Sequence, residues 1–120
     1  MVTNKEIVRD QTQLIRYLEN FVLLNIEPKL DLIDEINHWR TKTKAEVNFI
    51  IKRGLDLYPV EVKARQLNQP VYSKSLRSFL STYQPKKAFV INLSLEQEDK
   101  IGPTEVTTLP FYQNPFSPTL

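Results

Sequence analysis

The sequence predicts an α/β (mixed α+β) fold: a mixed β-sheet of about five strands flanked by helices, in the order αβββαββ. Three observations carry this reading. Residues 45–64 hold two alternating segments rich in Val, Ile, Phe and Tyr, joined at Gly54, which is the pattern of a hairpin. Two further segments, around Leu18 and around Leu76, repeat apolar residues at helical spacing. Between the second of these and the C-terminus, Ala88-Phe89-Val90-Ile91 is apolar on both faces, as suits a central strand reached by a helical crossover. The length of 120 residues, with 41% hydrophobic and 25% charged side chains, fits one domain over 1–112 followed by a tail at 113–120.

The first element is a helix. Leu14, Leu18, Phe21, Val22 and Asn25 form its apolar stripe, Thr12 is its expected N-cap, and Pro28 ends it. Glu19 lies about 100° round from Leu18, on the shoulder of that stripe, where it can look over the edge of the core. After a polar connection, strands are expected at Glu35–Lys42, Ala45–Arg53 and Leu57–Ala64, most simply as a meander. Ser73–Tyr83 places Leu76, Phe79, Leu80 and Tyr83 on one helical face, with Lys74, Arg77 and Ser78 on the other, and stops before Pro85. Strands are then expected at Lys87–Leu93 and Glu105–Leu109. Phe111–Leu120, with Pro115 and Pro118 and no periodicity, reads as a loose tail.

Composition excludes several chemistries. There is no cysteine, so thiolate metal sites, disulfides and a Cys nucleophile are absent; His38 is the single histidine, so a two-His metal site is absent too. Two glycines cannot write a phosphate-binding GxxxxGK[ST] loop or a GxGxxG fingerprint. No apolar run reaches transmembrane length, and the N-terminal residues have no signal-peptide pattern, so no membrane association and a cytoplasmic location are expected. The net charge of +2 is unevenly spread: residues 64–94 carry five basic side chains and no acidic one. Such a stretch either attracts phosphate or is a solvated face balanced by the acidic C-terminal segment.

Chemistry concentrates on the hairpin. With Gly54-Leu55 as a two-residue turn, paired residue numbers sum to 109, so Asn48 faces Glu61 and Glu46 faces Lys63, all four from one side of the sheet. Ala45, Val47, Phe49 and Ile51 then share the opposite face. Such a cluster is either a cross-strand salt bridge or the makings of a divalent-metal site with a cation beside the attacking water. His38 and Trp39 read as a half-buried structural pair, and Tyr58 and Phe89 as core. Arg40, Lys42 and Lys44 either guard a strand edge or, with Arg65, Lys74, Arg77, Lys86 and Lys87, line a phosphate track.

A helix with Glu19, then Glu46-Val47-Asn48-Phe49-Ile50, then Pro59-Val60-Glu61-Val62-Lys63, resembles the PD-(D/E)XK nuclease superfamily. The phrases His38-Trp39-Arg40-Thr41-Lys42, Ala45-Glu46-Val47-Asn48-Phe49-Ile50, Tyr58-Pro59-Val60-Glu61-Val62-Lys63 and Ser75-Leu76-Arg77-Ser78-Phe79 are similar to a C-terminal domain of unknown function found in many bacterial and archaeal AAA+ ATPases. The resemblance spans roughly residues 17–112. It implies a restriction-endonuclease-like core and a Mg²⁺- or Mn²⁺-dependent DNA endonuclease. In that chemistry Glu61 and Glu19 would hold the metal and Lys63 would orient the attacking water. Asn48 would be the third ligand, standing where the family has Asp. The substitution keeps an oxygen but removes a full negative charge from a cation that needs carboxylates. The alternative implied is a non-catalytic nuclease-fold module that binds nucleic acid or an AAA+ ATPase domain. A homodimer is a further expected assembly.

Overall fold

The first helix, α1, runs Asn4–Ile26, and the computed structural model describes residues 4–26, 35–40 and 46–113. Thr12, the expected N-cap, therefore lies inside the helix, which begins two turns earlier. Residues 4–11 are mostly polar but include neither Gly nor Pro, so their sequence does not interrupt the helix. Among the described side chains of α1, the buried ones are Leu18, Val22 and Ile26, one per turn.

Among the described residues the sheet has six strands: β1 Glu35–Arg40, β2 Glu46–Arg53, β3 Asp56–Val62, β4 Lys87–Asn92, β5 Gln97–Ile101 and β6 Thr104–Pro110. Their spatial order is β1-β2-β3-β4-β6-β5. The first three form the expected antiparallel meander. Helix α2, Lys74–Tyr83, then carries the chain to β4, which pairs parallel to β3. Ser73 caps α2 by accepting the Leu76 N–H at 3.0 Å, and Gln84, left-handed at φ 47°, closes it by donating to Leu80 O. β6 pairs parallel to β4, and β5 lies outside it as an antiparallel edge.

β5 is the strand that the sequence reading lacks. Its Gln97-Glu98-Asp99-Lys100 run is exposed throughout, so it has neither apolar alternation nor core side chains. Backbone pairing with β6 makes it a strand, and charged side chains on an outermost strand discourage further pairing. Its turn is the usable signal: Gly102, at φ 56°, precedes Pro103 between the paired Ile101 and Thr104. Pro excludes positive φ at the second position, leaving the type II′ geometry.

The two helices cover opposite faces of the sheet. Leu18, Val22 and Ile26 of α1 join Phe49, Ile51, Tyr58, Val60, Val62, Phe89 and Ile91 in one cluster. Leu76 and Leu80 of α2 join Leu67, Ala88, Val90 and Val106, and Phe79 packs on Val47 and Ile50. Tyr83, expected on the buried face, is half exposed at the helix end. No described helix is long and apolar enough to cross a membrane.

Between β2 and β3 the hairpin register holds as expected, from Arg53↔Asp56 to Phe49↔Val60, with Gly54 at φ 64° supplying the turn. Face alternation does not hold throughout β2. On the β1 side, Asn37 pairs with Ile50 but Trp39 pairs with Val47, so Asn48 and Phe49 together oppose the one residue His38. This is a β-bulge, and it reverses the alternation before it. Val47 consequently packs with Ile50 on the α2 face, away from the expected company of Phe49 and Ile51.

Candidate functional site

The bulge decides where Asn48 goes. Its amide Nδ2 donates to Glu19 Oε1 of α1 at 3.0 Å, and its Oδ1 accepts the backbone N–H of Val62 on β3 at 2.8 Å. The β2–β3 ladder ends at Phe49↔Val60, and one residue further on the Asn48 side chain replaces a backbone partner. The expected facing of Asn48 and Glu61, and of Glu46 and Lys63, is therefore not part of the ladder. Asn48 is a bracket joining helix and sheet, and the placement of Glu19 on the shoulder of α1 lets it reach that bracket.

Glu61 and Lys63 form a second pair. They sit two residues apart on β3, and Lys63 Nζ lies 3.5 Å from Glu61 Oε1. Glu61 is 6% exposed, and its other oxygen, Oε2, is buried without a hydrogen-bond partner. Strand β3 is internal, between β2 and β4, which is why a carboxylate on it loses its water. The sequence-predicted Glu19, Asn48, Glu61 and Lys63 thus occur as two pairs that share no hydrogen bond.

A divalent cation fits this donor set poorly. The Asn48 oxygen already accepts Val62 N–H, Glu19 already accepts from Asn48, and Lys63 neutralises Glu61. Among the described residues no three Asp, Glu or His side chains converge as a metal site. Within this set Glu61 Oε2 is the buried oxygen that has no hydrogen-bond partner.

Beside the pair, a cleft of about 410 Å³ opens between α1 and the end of β3, lined by Ile15, Val62, Lys63, Ala64 and Arg65. The Lys63 ammonium is held on Glu61, so Arg65 is the cation that this partly apolar wall offers to an anion such as a phosphate. The other sequence-predicted basic residues are elsewhere. Lys74 and Arg77 are exposed on α2, across the sheet from α1, and the Arg77 guanidinium lies 5.5 Å over the Tyr72 ring. Lys86 pairs with Asp56 at 3.7 Å. Lys42, Lys44 and the tail from 114 onward lie outside the described residues, as do the side chains of His38, Trp39, Arg40 and Glu46.

Two tyrosines have displaced titrations. The Tyr72 hydroxyl is pushed up to about 12 by burial and by Asp99, whose Oδ2 accepts its hydrogen bond at 3.1 Å. Burial and the neighbouring Asp56 also raise Tyr58. The Tyr72–Asp99 contact ties the segment before α2 to β5, and no local sequence pattern announces it.

Compared with known families, residues 16–112 match one described as a domain of unknown function, DUF4143. Among curated proteins no relative matches.

Proposed function

The chain belongs to the DUF4143 family, and on that premise we propose that it is a nuclease-like domain that holds a nucleic-acid backbone in the α1–β3 cleft without cutting it. One observation carries the reading: both polar ends of Asn48, at the position where the resembling nucleases place a metal-binding Asp, are engaged in structural hydrogen bonds. Asn cannot supply the negative charge that holds Mg²⁺, and its oxygen already has a donor. Arg65, beside the Lys63–Glu61 pair, keeps a cation with which such a cleft attracts phosphodiesters. Domains of this family commonly accompany AAA ATPases, so the natural setting of the module is beside such a motor, which would move the strand that the module holds.

A second reading, a metal-dependent DNA endonuclease, is favoured by the unpartnered Glu61 Oε2, since a cation would satisfy it. Calorimetric titration of Mg²⁺ and Mn²⁺ into the protein and into Asn48→Asp separates the two. It is run beside fluorescence anisotropy with labelled single-stranded and duplex DNA in EDTA. The expected outcome is DNA binding in EDTA, no cleavage with either metal, and cation binding gained by Asn48→Asp. Metal-dependent cleavage by the unmodified chain that vanishes in Glu61→Gln would establish the second reading instead. Absence of binding to either DNA would sink the first.

A further inference from the structure

Helix α1 has a second apolar stripe that the sheet does not use. Leu14, Tyr17, Phe21 and Leu24 are 40%, 72%, 42% and 68% exposed, respectively, although all four are large hydrophobic side chains. At 100° per residue they fall within about 80° of one another, and their centre lies about 120° round the helix from that of the buried Leu18, Val22 and Ile26. Their spacing of three, four and three residues is the period by which helices pair along a seam. Phe21 is also held edge-on by Phe111 at 5.3 Å, and exposed Tyr112 extends the aromatic surface beyond it.

The stripe also reads the same in both directions. From either end it runs Leu, aromatic, aromatic, Leu, with the same intervals. In an antiparallel two-fold contact residue i meets j of the partner and j meets i, so this stripe would match Leu to Leu and aromatic to aromatic along the whole seam. Pairing with residue numbers summing to 38 puts Leu14 opposite Leu24 of the second copy and Tyr17 opposite its Phe21. Charge permits it: the flanking exposed residues are the amides Gln13 and Asn20, whereas Arg16 and Glu19 lie more than about 100° from the stripe's centre. Glu19 is in any case turned inward to Asn48.

We infer that α1 is a homodimerisation element, pairing antiparallel with α1 of a second copy of this chain through Leu14, Tyr17, Phe21 and Leu24. With about 200 Å² for each aromatic side chain and slightly less for each Leu, these exposures leave about 400 Å² on one copy. Two copies and the flanking amides bring the total to about 1,000 Å², the lower end for a specific interface. An interface of that size suits a reversible dimer.

Sedimentation velocity on the chain from about 1 to 300 µM tests this, expected to show a concentration-dependent shift from monomer to dimer. Tyr17→Lys and Leu24→Lys, each with an unchanged circular dichroism spectrum, are expected to remain monomeric throughout. Because the chain has no cysteine, register is tested separately with single-cysteine variants and a short bis-maleimide. Leu14→Cys mixed with Leu24→Cys is expected to cross-link strongly, and either alone weakly. A monomer at every concentration overturns the inference and leaves the stripe to a helix of another protein. A dimer that survives both lysine substitutions, or equal cross-linking in all mixtures, overturns it as well.

Discussion

Glu61 is a carboxylate with one cation for company, and what that cation contributes follows from burial. Removing Lys63 leaves a negative charge in a site with little water. Breaking a buried pair costs about 3–5 kcal/mol, and because Lys63 keeps some solvent contact we expect Lys63→Met to lose about 2–3 kcal/mol. Adding Glu61→Leu removes the stranded charge, so the double variant should recover most of the loss in urea unfolding. Equal losses in the single and double variants would show that the pair is not coupled. Asn92 is a different case: fully buried, it spends its amide on the turn after β4 and on β6. Its Nδ2 donates to Leu95 O and Leu109 O, and its Oδ1 accepts from Ser94 N and Leu95 N. With buried polar groups costing about 1–3 kcal/mol each when stranded, Asn92→Ala should cost about 3 kcal/mol or more. A loss under 1 kcal/mol by the same measurement would mean that water replaces the side chain.

At the level of elements, the Tyr72–Asp99 hydrogen bond fastens the outermost strand β5 to the segment leading into α2. Its hydroxyl titrates at about 12 in the folded protein and at the ordinary 10.0 when unfolded. The unfolded chain therefore releases this proton first as pH rises. Stability from Tyr72 is complete below pH 10, falls between 10 and about 12, and is lost above that. Urea midpoints measured from pH 8 upward should fall less steeply in Tyr72→Phe than in the unmodified chain; identical slopes would detach Tyr72 from this behaviour. The same strand shows where sequence reasoning stops. The β2–β3 hairpin, α2 and β4 were legible because buried side chains impose a period, whereas β5 buries almost nothing and is created by its neighbour. The site divides in the same way. Glu61 and Lys63 are two residues apart, so their pairing is local, but Asn48 meets Glu19 because of a bulge opposite His38, and the bulge depends on how β1 pairs.

For the whole molecule, the sheet separates charges that the sequence places close together. The acid-free stretch from 64 to 94 looks like one basic track, yet Arg65 lines the α1-side cleft while Lys74 and Arg77 ride on α2 across the sheet. A strand held in the cleft would meet Arg65, with Lys63 kept on Glu61 and the α2 cations left in solvent. Each phosphate neutralised on single-stranded DNA contributes about −0.7 to the slope of log affinity against log salt, so the one contact of Arg65 gives a slope near −0.7. Arg65→Ala should remove most of that slope and weaken binding, whereas Lys74→Ala should leave both almost unchanged. Anisotropy titrations at four or five salt concentrations read the difference directly. If Lys74→Ala and Arg65→Ala lower the slope equally, binding is a diffuse attraction to net positive charge, and the cleft loses its claim to be the site.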